Sequence, residues 1–182
     1  MLTRQRFLVR CFAAYTIVTA FVLSNAQFVS AQEDKRSSVL ADTVKGVVFD
    51  PSTYAPSIIS YNATMRDWNT SQLFFQNGYV EHNARFTITG QPDDRAVSYP
   101  VGRAQIFKDA AAVLGVVAAQ NATSRLVERA LLSRYPEHRK AVKTIGWIQR
   151  ISVASLMSFR LSAEHYRQAG ANTQRSAELG LR

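Results

Sequence analysis

The chain holds three histidines, and their neighbours decide what chemistry is open to them. His82 sits in Glu81-His82-Asn83, His165 follows Glu164, and His138 lies in the basic stretch RYPEHRK. None falls in an H-E-x-x-H or other spaced metal motif. If Asp67, Glu81, His82, Asp109, Glu164 and His165 met at one end of a helical bundle, they could hold a divalent cation or move protons. The same side chains also serve as ordinary exposed charges and helix caps, paired with Arg160 or Arg167. No nucleophile elbow, phosphate loop, dinucleotide fingerprint or deaminase signature accompanies them. A metal-dependent or acid–base enzyme therefore ranks last among the readings, and no cofactor or metal is assigned.

A second constellation is basic: Arg125, Arg129, Arg134, Arg139, Lys140 and Lys143 gather around one predicted turn. In a cytosolic chain such a cluster suggests nucleic acid. In an exported one an anionic membrane surface or another acidic envelope partner fits better, and no nucleic acid is expected. A solvated helix end accounts for the same cluster. Three N-x-S/T triplets begin at Asn62, Asn69 and Asn121, all in predicted helices.

The elements that must position these groups follow an N-terminal targeting pattern. Arg4, Arg6 and Arg10 precede an apolar run over residues 11–23, and Val29-Ser30-Ala31 has the small residues of a cleavage site. Residues 1–31 are expected to be a signal peptide. Arg10 before Cys11 gives no lipobox, and Gln5 stands where a twin-arginine signal wants its second arginine. Cleavage would take the net charge from +9 to +6 and remove the only cysteine. The expected location is the periplasm or the surface of an envelope membrane.

Residues 32–54 are read as a flexible or irregular segment. The next stretch, about 55–77, carries Ile58, Tyr61, Met65, Trp68 and Phe75 at helical spacing and is closed by Gly78. Between Gly78 and Tyr99, RFTIT and RAVSY around the turn GQPDD could form a small β-hairpin. Pro100 and Pro136 suit helix starts, so two long helices are expected, about 100–135 and 136–169, with a polar tail over 170–182. The fold class is mainly α: one shorter helix, then a long antiparallel helical hairpin. The helical domain is placed at 55–169.

The hairpin has a predicted seam. Ala111, Gly115 and Ala119 recur every four residues, as do Ala154, Ser158 and Ser162. Folding about Pro136-Glu137 sets Ala119 opposite Ala154, Gly115 opposite Ser158 and Ala111 opposite Ser162. That register implies a close approach, near the ~8 Å lower end of helix packing. Small residues every four suit membrane pairs and close-packed soluble helices alike. The charge-free stretch 110–124 is short for a span. A lipid-exposed Arg150 would cost about 2.5–3.5 kcal/mol on insertion scales. A soluble or surface-lying bundle is therefore preferred, with an integral membrane protein of two or three spanning helices as the alternative. A homo-oligomer is compatible with either.

The segment DWNTSQLFFQNGYVEHN, through Asp67, Thr70, Gly78, Glu81 and Asn83, resembles one found in small bacterial membrane or exported proteins. In those, a helix with Asp and Thr ends in Gly-x-x-Glu-x-Asn-Pro and two helices follow. Ala84 stands where that pattern has proline. The resemblance covers 67–83 and the helix order, carries no activity, and implies a membrane or envelope setting. The leading expectation is an exported helical envelope protein with a structural or interaction role.

Overall fold

The structure, a computed structural model, describes the backbone of residues 33–181 and the side chains of residues 38–181. The signal-peptide reading of residues 1–31 lies outside the described residues. Four α-helices run in chain order: α1, Glu33–Val48; α2, Pro51–Gln76; α3, Tyr99–Arg134; and α4, Arg139–Glu178. No strand occurs among the described residues.

Residues 33–48 were expected to be irregular and are helical instead. Val39, Thr43 and Val47 recur every four residues, and Thr43 and Val47 are buried. The contact is with α3, so tertiary packing overrides a polar, weakly patterned sequence. The next helix starts at Pro51, ahead of the expected Ala55. Asp50 supplies the cap, its carboxylate accepting from Ser52 N–H at 3.1 Å and Ser52 Oγ–H at 2.7 Å. Because the helix starts before Ala55, Pro56 lies inside it.

The connection over 77–98 forms two isolated bridges in place of a hairpin, Glu81 with Asp94 and Thr87 with Ala96. A short 3-10 turn, Ala84–Phe86, intervenes and is capped by Asn83. It drops Phe86 onto Trp68. Trp68, Phe86 and Ile106 make a small apolar core, with Tyr61, Met65 and Phe75 packed around it.

The two long helices appear where expected, α3 closely so. A 3-10 turn, Pro136–His138, precedes α4. The latter passes through Gly170 and ends only where Gly180 adopts a left-handed φ of 64°. The expected polar tail is thus mostly helix. Its Asn172 and Ser176 are buried, which gives the last turns a reason to stay wound.

The hairpin is not a closed pair. Ser124 Oγ–H donates to Gln149 Oε1 at 2.5 Å, the pairing that the expected register implies beside the turn. Beyond it, α2 packs against both partners, and α3 and α4 share few contacts. The helix α2 runs antiparallel to α3: Asn121 meets Ser52 and Thr53 at one end, and Tyr99 meets Asn69 at the other. It runs parallel to α4, as Arg150 to Asp50 and His165 to Asp67 show. The predicted seam is therefore corrected. Ala154, Ser158 and Ser162 are buried, as a seam requires. Ala111, Gly115 and Ala119 are exposed, and a side chain added at Gly115 would meet nothing within 4 Å. A stripe of small residues announces close packing but not its partner, and α4 spends its stripe within a bundle that α2 joins.

Candidate functional site

The six predicted polar residues divide into separate groups. Asp67 and His165 do meet: the imidazole Nδ1 lies 2.8 Å from Asp67 Oδ2. Asn172 Nδ2–H donates to Asp67 Oδ1 at 3.3 Å and to Ser71 Oγ at 3.0 Å. The hydroxyls of Thr70 and Ser71 turn back to the Asp67 carbonyl, each at 2.9 Å. This arrangement ties α4 to α2 through one carboxylate. Asp109 is elsewhere, held by Arg85 at 2.5 Å and by Gln105 at 3.0 Å. Glu164 pairs with Arg167 at 2.5 Å, and His82 pairs with Asp93. Among the described residues no group of three His, Cys, Asp or Glu could hold a metal ion.

Glu81 stands beside the Asp67 group. Burial pushes its carboxyl above the usual glutamate range, with the Asp67 charge adding to the rise, against a hydrogen bond from Asn83 N–H at 2.7 Å. A carboxyl with a raised native pKa costs stability where it must ionise, and the cost disappears below its ordinary value of 4.5. Glu81→Gln keeps the acceptor for Asn83 and removes the charge. It is expected to raise the melting temperature at neutral pH. The gain should shrink to nothing as pH falls below about 4; a gain constant across pH would contradict this placement, and melting curves at three pH values decide it.

A constellation that sequence reasoning missed lies where α1 hands over to α2. Arg150 Nη1–H donates to Glu128 Oε2 at 2.8 Å, and Arg125 Nη2–H to Asp50 Oδ2 at 2.7 Å. Arg150 Nε sits 3.2 Å from Asp50 Oδ2, outside hydrogen-bonding geometry. The four side chains are 6%, 15%, 26% and 13% exposed for Arg150, Glu128, Arg125 and Asp50. Two cations and two anions cancel inside the bundle. Arg125 thereby leaves the predicted basic surface, where Arg129, Arg134, Arg139, Lys140 and Lys143 remain exposed. Arg129 reaches Asp42 at 3.4 Å. The signal in the sequence is faint: Arg125 and Glu128 are three apart, and their partners are distant in the chain.

Other polar side chains are buried near the start of α2, beside apolar Val47, Ala110 and Val117. Asn121 is fully buried and donates to Ser52 Oγ at 3.1 Å and Thr53 Oγ1 at 2.8 Å. Ser57 Oγ–H donates across to the Ala110 carbonyl at 2.7 Å. A buried Asn121 is closed to any glycan-transferring enzyme. Large apolar side chains take the opposite side: Val48, Phe49 and Ile58; Phe107 and Val116 on α3; Ile145, Ile148, Leu156 and Phe159 on α4. A buried polar group and an exposed apolar patch are the two informative departures from ordinary burial, and here they coincide.

Between the start of α2 and α4 runs a groove of about 510 Å³. Small residues line it, Ala55, Ala154, Ser155 and Ser158, together with Ile59, Trp147 and Ile151.

Comparison with protein-family models, with curated proteins and with solved structures returns no match. The chemistry of the chain must be read from its own geometry.

Proposed function

We propose that this chain is an exported helical protein of the cell envelope that seats its bundle in a membrane, in a structural or interaction role. The observation that carries the reading is the inverted polarity around the ionic tetrad. Between Lys45 and Arg66, between Asp109 and Arg129, and between Lys143 and Arg160, the only charged residues are Asp50, Arg125, Glu128 and Arg150. All four turn inward and neutralise one another. The outer surface of the bundle thus has an uncharged waist. Residues 110–128 rise about 28 Å and residues 144–159 about 24 Å, against a hydrocarbon core of about 30 Å.

Hydropathy alone undervalues such a waist. Tyr99–Arg134 is the one helix among the described residues that is long and apolar enough to cross a membrane by composition. Only 22% of its most apolar window is buried, whereas the core helix of a water-soluble bundle would be mostly covered. The sequence argument against insertion leaned on a lipid-facing Arg150. With Arg150 paired inside the bundle, that penalty does not arise in the form expected, because ionisable groups in membranes face the bundle interior and pair there. Interhelical bonds from Ser57 and Asn121 also suit helices that have no water to satisfy them.

The bland alternative is a soluble bundle that rests on a membrane or a partner by its basic pole. Fractionation separates the two. The membrane-seated protein is expected to stay in the pellet through high salt and alkaline carbonate and to need detergent for release. Release by carbonate would overturn the reading in favour of a peripheral one.

A further inference from the structure

We infer that the groove between α2 and α4 is a lipid site that holds one acyl chain of an anionic phospholipid, with its phosphate on Lys140 and Lys143. The inference rests on the membrane reading above. Lys140, Lys143, Trp147, Ile151, Ala154 and Ser158 follow one another at spacings of three and four, so they share a face of α4. Along that face the chemistry changes in the order in which a phospholipid changes. Two exposed lysines come first, then a half-exposed indole, then the apolar groove. Trp147 is one helical turn from Lys143, about 6 Å along the axis, and Lys140 is about 10 Å away. Indoles settle at the boundary between headgroups and hydrocarbon, and lysines beside it attract anionic lipid.

The groove suits a chain better than a polar ligand. Its volume, about 510 Å³, is that of a small-molecule site, and its exposed walls are isoleucine and indole. The carboxylate that lines it near Trp147, Asp50, is already engaged by Arg125 and Arg150. An acyl chain needs no polar partner there. The small lining residues leave the room that larger side chains would fill.

The chain contains two tryptophans, which provide a built-in probe. Trp68 is 4% exposed and serves as a reference that lipid cannot reach, whereas Trp147 is 58% exposed at the mouth of the groove. The full chain is reconstituted in phosphatidylcholine vesicles in which either phosphatidylglycerol or phosphatidylcholine, at equal mole fraction, carries brominated acyl chains. Fluorescence quenching then reports which lipid occupies the contact. Brominated phosphatidylglycerol is expected to quench Trp147 with roughly tenfold higher apparent affinity, since each lysine near the surface contributes severalfold. Lys140→Gln with Lys143→Gln should bring the ratio close to one. Ser155→Phe, which adds bulk at an exposed lining position, should weaken quenching by both lipids.

Each other outcome decides against the proposal in a distinguishable way. Equal quenching by both lipids, or a ratio unchanged in the double lysine variant, overturns the headgroup assignment while leaving the bundle in the membrane. No quenching in a protein that resists carbonate means that protein, such as a second copy, covers the groove. No quenching in a protein that carbonate releases overturns the membrane reading as well.

Discussion

Arg150→Met is expected to destabilise the folded bundle by about 3–5 kcal/mol, because it leaves a buried carboxylate without its cation. The side chain is 6% exposed and is the partner that Glu128 has at 2.8 Å. Methionine fills similar space, so the loss reports charge rather than volume. Asp50 keeps Arg125 in this variant, and Glu128 becomes the uncompensated group. Adding Glu128→Gln restores neutrality and should recover much of the loss, since removing both partners of a buried pair costs far less than removing one. Arg139→Met, an exposed change at the turn, should stay within about 0.5 kcal/mol of the parent. Thermal unfolding of the four proteins in one detergent makes the comparison. Equal stabilities for the parent and Arg150→Met would show that the tetrad is solvated and would remove the basis of the neutral waist.

The tetrad also marks where sequence reading stopped. Its members sit at positions 50, 125, 128 and 150, and each alone looks like a reason against burial. Asp50 falls in a stretch read as irregular, Arg125 reads as part of a basic face, and Arg150 as a flaw in an apolar run. Only the parallel placement of α2 and α4 brings them together. Local signals did better. Pro100 and Pro136 marked the hairpin because proline at a helix start acts through its own backbone. Ser124 and Gln149 fell into register because a tight turn fixes the pairing beside it. The same logic failed a few turns further on, where α2 decides what α3 and α4 face. The end of α4 was misread at Gly170 for a similar reason. A helical glycine costs about 1 kcal/mol relative to alanine, and Asn172 and Ser176 packed beyond it keep the helix going. Of the predicted polar cluster, Asp67 and His165 met because both lie on faces that α2 and α4 present to each other. Asp109 is instead engaged by Arg85 and Gln105.

The second large effect is expected at the small apolar core. Trp68→Ala should cost about 3–5 kcal/mol, the range for emptying a buried aromatic site. The indole packs on Phe75 and Phe86 with ring centroids 5.5 and 5.3 Å away. More discriminating is Gly102, in the first turns of α3. A methyl group there would stand 2.2 Å from Trp68 Cζ2, so the ring must shift for alanine to fit. In an open helix the change from glycine to alanine gains about 1 kcal/mol. Overpacking a rigid core costs about 1–3 kcal/mol, and here the obstacle is a fused ring held on several sides. The net effect of Gly102→Ala is therefore expected to be destabilising. In a Trp68→Phe background the missing ring atoms include Cζ2, so the same alanine should become neutral or stabilising. A double-mutant cycle measures that reversal as a coupling of about 1–3 kcal/mol. A cycle that closes with no coupling would mean that α3 does not press against Trp68 at Gly102.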